Sequence, residues 1–499
     1  MPIASALCAR ATRLPVATWC GVAAAMLLYI CAVAFSAATL PWRGTADAFA
    51  HMDYVYQIHH GQIPEPNGYA YRLVSPRKFN VGNPDTTRQW ASAHPPLFYA
   101  LASLPMGSEL DAGRWEMAMA RGRALNMVLG AGCVLALAWA GWSLGGRRRA
   151  RLAVALPLVG GCLPPFVRFS AEVYNDILVT LLSIVAVVLA CQVLLRGAAR
   201  TRCLLLAVTC ALGMASKATF VFALVIAMAA LALRMLGGTR ASWPLRVTKA
   251  AAASFALAAA AFLPNAWFFL RNATASGSWF RSSVKEALQG RVEKSLFDVL
   301  GDDTFWLLVP RSLLGSRWEG FWPHNQQLSI LVTIACAAGL LSLAVHNRWP
   351  QRLLAGEPLA WAWVLVALHF AGLMLAQLQQ ATGWGQYNVR YFLPALLSLS
   401  AFLVAAPAAS GRSAPWLVPP LAALMAFSGV RYTFAYLDRA YASLAKGEGS
   451  WTRMLAAVDG NGLSHAWVWL SFAGMLVAIL AGAVCLARLS SVPDYSPGC

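Results

Sequence analysis

Asp176-Ile-Leu-Val-Thr-Leu-Leu-Ser-Ile-Val-Ala-Val-Val-Leu-Ala-Cys-Gln-Val-Leu-Leu195 carries one charge, at its first residue, and no other. As a helix rising ~1.5 Å per residue it would be about 30 Å long, the thickness of a bilayer's hydrocarbon core. Similar runs lie on both sides of it. Before it come Pro15–Leu40, Glu116–Trp142 and Ala150–Val167. After it come Cys203–Ala215 (short), Thr219–Leu233, Ala250–Leu270, Leu328–Val345, Pro358–Leu378, Tyr391–Ala406, Trp416–Phe434 and Ala466–Ala487. The pattern predicts an all-α polytopic membrane protein, one membrane domain over residues 1–499, with about twelve transmembrane helices. The short run at Cys203 sets the range at eleven to thirteen, because it can merge with the next.

Composition agrees. The chain is 59% hydrophobic and only 12% charged, against ~25% charged for a soluble domain. The formal charge of +19 would suit nucleic acid in a soluble protein, but its distribution excludes that partner. With the N-terminus in the cytoplasm and the helices alternating, one side receives Arg10, Arg13, Arg147, Arg148, Arg149, Arg151, Arg196, Arg200, Arg202 and Arg234. It also receives Arg240, Arg246, Lys249, Arg348, Arg352, Arg412 and Arg488, and its acids are Glu357 and Asp494. That is the positive-inside bias of a multi-pass protein with both termini cytoplasmic. Nine of the eleven cysteines fall in or beside apolar runs, where they act as small hydrophobes, and there is no Cys-x-x-Cys. The first apolar run is too long for a signal h-region and is expected to be retained.

Two loops on the extracytoplasmic side are long, 41–115 and 271–327, and both contain stretches expected to lie as interfacial helices, Asp47–His60 and Ser282–Leu300. In the first, helical spacing places Asp47 one turn from His51, on a face shared with Tyr54 and Ile58. This reads either as a reactive carboxylate at the membrane surface or as an ordinary solvated amphipathic helix. Further on, His94-Pro95-Pro96-Leu97-Phe98-Tyr99 starts a helix too short to span, with His94 at the membrane surface or in a simple turn.

A third set converges by topology on the same face: Arg121, Arg123, Arg168, Glu172, Asp176, Lys217, Arg271 and Arg390-Tyr391. The positive-inside rule gives no reason for cations there. Ionisable groups at membrane depth are costly and mark function. Each cation read singly can snorkel to the interface. As a set they suit a lipid-linked phosphate.

In these residues the chain resembles the GT-C superfamily of integral-membrane glycosyltransferases, most of all the bacterial relatives of protein mannosyltransferases and the lipid A aminoarabinose transferase. Those proteins carry an Asp, often Asp-Glu, early in the first outer loop, followed by a Pro-Pro-Leu-Tyr-Tyr-like segment. The matching pieces here are Asp47, the His94–Tyr99 segment, Asn175-Asp176, Ser216-Lys217, Pro264…Trp267…Arg271-Asn272 and Arg390-Tyr391…Pro394, in the family's order from about Thr45 to Leu397. Two departures stand out. Ala48 occupies the place of the second acid, and the C-terminal soluble domain of several relatives has no counterpart.

The resemblance implies a GT-C-like fold in a bacterial inner membrane, with the active site outside the cytoplasm. It implies transfer of a sugar, with inversion, from a polyprenyl-phosphate donor to an extracytoplasmic glycan, lipid or protein acceptor. Asp47 would be the base. Lys217, Arg271, Arg390 and Tyr391 would bind the donor phosphate. His51, His94, Glu172 and Asp176 would orient the base, contact sugar or acceptor, or hold a divalent ion. No cofactor is demanded, and the first loop lacks an Asp-x-Asp for a metal. A multi-helix transporter or flippase is the rival reading. Transporters tend to show repeated halves and charges near the midplane, whereas here no repeat is visible and the ionisable residues gather at one face.

Overall fold

The computed structural model describes residues 15–41, 48–66, 89–237, 242–277, 279, 293–315, 326–385, 387–440, 445 and 447–491. Among these residues every regular element is a helix. The α-helices, in chain order, begin with α1 Val16–Thr39, α2 Ala48–His59, α3 Leu97–Asp111, α4 Trp115–Leu144 and α5 Arg149–Gly160. Next are α6 Pro164–Ser170, α7 Asp176–Arg196, α8 Arg200–Ser216, α9 Val221–Leu236, α10 Trp243–Phe262 and α11 Ala266–Ser276. Then come α12 Leu296–Gly301, α13 Asp303–Trp306, α14 Leu308–Ser312, α15 Gln326–His346, α16 Trp349–Leu354 and α17 Pro358–Trp384. The last are α18 Leu396–Ala409, α19 Ala414–Ala440, α20 Ser450–Gly460 and α21 Ala466–Ser491.

Ten of the described helical segments are long and apolar enough to cross a membrane, and the bent pair α5–α6 brings the number to eleven. The expected twelve also counts α8. At 17 residues, α8 is slightly shorter than the usual span. The run Ala150–Val167, read as one helix, is broken, and its halves meet at 67°. Pro164 and Pro165 lack the N–H groups that would continue the ladder, and Pro rings clash with the preceding turn. The predicted Ala250–Leu270 helix is likewise interrupted, by a 3-10 turn at Leu263–Asn265. The predicted start at Tyr391 is a 3-10 segment, Val389–Ala395, leading into α18.

α7 is the most buried of the long helices, with 83% of its apolar stretch buried, while only 11% of that of α15 is buried. The close approach of α4 to α5 needs Gly141, since a Cβ there would lie 2.4 Å from the backbone of Leu152. α21 lies along α1. α2, α3 and the start of α4 form a separate apolar cluster with Val173 and Leu178, built around Met52, Tyr54, Phe98, Tyr99 and Met106. The described helices of the first long loop, α2 and α3, are therefore packed against the start of α4 and the turn before α7. Of the second, residues 282–292 lie outside the described residues. Its helix α12 starts with a capping box, Ser295 with Asp298.

Two side chains anchor the exit of α1. Arg123 donates to the carbonyls of Ala37 (3.0 Å) and Pro41 (3.3 Å), and Asn461 to those of Ala38 (2.8 Å) and Leu40 (2.9 Å). A helix C-terminus leaves its last carbonyls without helical partners, and these bonds supply them.

Candidate active site

α2 places His51 and Tyr54 three residues apart, on one face, against α3. His51 Nδ1 lies 2.9 Å from the Tyr99 hydroxyl. The Tyr54 ring stacks on Tyr99 at 3.8 Å between centroids, and its hydroxyl donates to the His94 carbonyl at 3.0 Å. Burial pushes the Tyr54 phenol pKa up, against the opposing charge of Arg271, so the hydroxyl stays a donor. The His94 ring lies parallel to that of His51, 6.3 Å away. Within the stretch Asp47–His60, expected as an interfacial helix, the structure has a helix over Ala48–His59. Asp47 itself lies outside the described residues.

The turn between α6 and α7 brings Tyr174 edge-on to His51, at 5.0 Å. Asn126, in the middle of α4, fixes that turn by donating to the carbonyls of Glu172 (2.5 Å) and Tyr174 (3.0 Å). On its other side, Tyr174 lies under the guanidinium of Arg390, 5.6 Å from the ring centre.

The second half of the site is cationic. Lys217 occupies the junction between α8 and the 3-10 turn Ala218–Phe220. Its Nζ meets Oδ1 of Asp176, the first residue of α7, at 2.6 Å, with both side chains buried. The same ammonium lies 5.6 Å from the centre of the Tyr391 ring, and the Arg390 guanidinium lies 5.2 Å from it. Arg390 Nη2 also reaches the Tyr391 hydroxyl at 3.4 Å. Asn388 sets this geometry by capping the 3-10 segment, its Oδ1 accepting from the Arg390 backbone N–H at 3.0 Å.

Arg271 closes the arrangement from α11. Its Nη2 donates to the Ser92 carbonyl and to Asn272 Oδ1, both at 3.2 Å, and the Asn272 amide donates to the Ala93 carbonyl at 3.3 Å. Among the described residues, part of the set singled out in sequence therefore lies side by side: Arg271 against the segment before His94, and His51, Tyr174, Arg390, Tyr391, Lys217 and Asp176 in succession.

Other members of that outer set are engaged elsewhere. Arg121 pairs with Glu109 at 2.7 Å. The hydrogen bond from Arg114 holds the Glu109 carboxyl below its usual range despite burial, and Arg121 adds to that shift. Arg123 holds the end of α1. Glu172 sits 2.6 Å from Arg168, whose guanidinium covers the Tyr436 ring at 4.3 Å. No group of three or more metal-ligating side chains forms among the described residues. Buried polar residues beside the site that carried no expectation from the sequence include Asp53, Gln57, Gln89, Ser92 and Asn126. Only Asn126 gave a signal, as a lone amide inside an apolar helix.

No protein-family model and no curated protein sequence matches the chain. Among solved structures it is similar to ArnT from Cupriavidus metallidurans bound to undecaprenyl phosphate, at 13% identity over 94% of this chain and 77% of that one, with a TM-score of 0.47. It is also similar to the oligosaccharyltransferase of Archaeoglobus fulgidus, at 13% identity over 94% and 55% of the two chains and a TM-score of 0.41. A third is the arabinosyltransferase EmbB of Mycobacterium smegmatis, at 13% identity over 98% and 42%, with a TM-score of 0.36. At these values the likeness is one of outline and transfers no residue role.

Proposed function

We propose that the chain is a membrane glycosyltransferase of the GT-C type. It takes a sugar from a polyprenyl-phosphate donor and transfers it, with inversion, to an acceptor on the outer face of a bacterial inner membrane. The observation that carries this reading is the meeting of Lys217 and Arg390 at the Tyr391 ring, drawn from segments far apart in the chain, with Arg271 bonded to the turn that precedes His94.

The chemistry follows from the groups. A polyprenyl phosphate is a good leaving group and needs cations rather than a general acid as its C1–O bond breaks. Lys217, Arg271 and Arg390 supply them, and Tyr391 adds a hydrogen bond. Asp47 takes the proton of the acceptor hydroxyl as that oxygen attacks the anomeric carbon from the opposite face. The bonding pair leaves with the phosphate oxygen. His51, His94 and Asp176 border this space and would orient base, sugar or acceptor. The reading is supported by a largely apolar cavity of about 570 Å³ that would take the prenyl chain, lined by Val309, Leu313, Trp363, Phe370 and Phe402 and also by Arg148 and Arg352. Phe370 in its wall packs on Phe392, two residues from Arg390, with ring centres 5.4 Å apart.

The test is transfer of radiolabelled sugar from a panel of polyprenyl-phosphate sugars in membranes containing wild type or Asp47→Asn. Transfer by the wild type alone is expected. Equal transfer by Asp47→Asn removes Asp47 as base. Solute flux in proteoliposomes that is independent of Asp47, with no transfer from any donor, would establish the transporter instead.

A further inference from the structure

Asp53 is fully buried on α2, two residues past His51, and the reaction above makes no use of it. A buried carboxylate is costly unless it is bonded. Its Oδ2 accepts from Gln57 Nε2 at 2.8 Å and from Gln89 Nε2 at 2.6 Å. The Gln89 amide also donates to the Ala50 carbonyl at 2.8 Å, and its Oε1 accepts from the Ala91 N–H at 2.9 Å. The Gln89 carbonyl accepts from the Ser92 hydroxyl at 2.8 Å. Both amide hydrogens and the amide oxygen of Gln89 are thus engaged, and the 3-10 turn Trp90–Ala93 is tied to α2.

The next three carbonyls leave that turn in a row, and each accepts from a different side chain. Ser92 takes Arg271, Ala93 takes Asn272, and His94 takes Tyr54. Arg271 Nε is buried and finds no acceptor among the described residues. The turn therefore stands between a buried carboxylate on one side and a cation with an unused donor on the other.

We propose that Asp53 and Gln89 form a clamp that positions Arg271 for the donor phosphate through the carbonyls of Ser92 and Ala93. This rests on Arg271 belonging to the phosphate site, as proposed above. Neither clamp residue touches substrate; both act through the turn. Within the turn, Trp-Ala-Ser-Ala, the Ser92 hydroxyl bond closes it locally, and the Gln89 side chain supplies the constraint that ties it to α2.

The experiment is equilibrium binding of undecaprenyl phosphate to the purified full chain in detergent, for wild type, Gln89→Ala, Arg271→Ala and the double variant. Each single change is expected to raise Kd about tenfold, the effect of losing one charge-assisted phosphate contact. The double variant is expected to bind no more weakly than Arg271→Ala alone, because Gln89 acts only through Arg271. Asp53→Ala is expected to give the same loss and the same non-additivity with Gln89→Ala. A roughly hundredfold loss in the double variant, the product of independent effects, would overturn the clamp. So would unchanged binding in Gln89→Ala. If Gln89→Ala does not fold, Gln89→Asn takes its place, since a side chain one methylene shorter cannot span Asp53 and Ala91 together. Failure of the wild type to bind undecaprenyl phosphate would overturn the functional reading and the clamp with it, a result distinct from the other two.

Discussion

Two ion pairs are buried near the same end of the bundle, each with an N–O distance of 2.6 Å and each with side chains no more than 5% exposed. Arg168 and Glu172 are four residues apart, and Tyr436 of α19 covers the arginine. Lys217 and Asp176 are 41 residues apart, and the lysine shares the Tyr391 ring with Arg390. The first pair closes the break after α6 onto itself. The second draws together the start of α7 and the break after α8, and opens on a group of cations. Equal burial and equal geometry thus occur in two different surroundings, and what separates them is how far apart the partners lie in the chain and what else the cation faces.

The largest effect is expected from Lys217→Ala. Removing one partner leaves the Asp176 carboxylate buried without its cation, which costs about 3–5 kcal/mol of stability. Transfer should fall by about 10²–10³-fold, the usual range for losing a group that stabilises developing charge. Thermal unfolding in detergent and the radiolabel assay measure the two separately. Pairing Lys217→Met with Asp176→Asn removes both charges and should recover stability without recovering transfer. Recovery of transfer in that double variant would remove Lys217 from the phosphate site and make the two ion pairs equivalent.

Tyr391→Phe comes next. It deletes one hydroxyl beside Arg390 and leaves the ring under both cations. The expected cost is about 1–2 kcal/mol in kcat/KM, or roughly tenfold, with little change in unfolding temperature. An unchanged kcat/KM would reduce Tyr391 to a spacer between Lys217 and Arg390.

The legibility of these sites in the sequence follows the same division. The helical bundle was readable because twenty apolar residues in a row admit few other structures. The 67° break at Pro164-Pro165 was hidden by the apolar continuity around it, although the two prolines were its cause. Cations at membrane depth stood out because they are expensive there. Their partners did not, since Lys217 with Asp176 and Arg271 with Ser92 are joined only by the fold. Arg121, Arg123 and Arg168 carry the same charge as Arg390 and belong to the same set in sequence, yet they bind Glu109, the end of α1 and Glu172. Composition cannot tell a cation that satisfies the protein from one that faces a ligand. Asp53 and Gln89 give no signal in the sequence, because a single acid and a single amide in a polar loop carry neither periodicity nor cost until burial is known.

The smallest effect is expected from replacing the Arg168–Glu172 pair with Met and Leu together. Apolar residues of similar volume in place of a buried ion pair are often neutral or stabilising, by about 1–4 kcal/mol. The rings of Tyr432 and Tyr436 beside Arg168 give them a largely apolar setting. Unfolding temperature should hold or rise, and transfer should stay within about threefold of wild type, because the Asn126 bonds that shape the Tyr174 turn go to backbone carbonyls and survive the change. A collapse of transfer with the fold intact would return Glu172 to the sugar-contacting set and show that both pairs serve the reaction. Retained transfer would leave Arg168 and Glu172 as a staple at a proline break, and Lys217 with Asp176 as the pair that the chemistry requires.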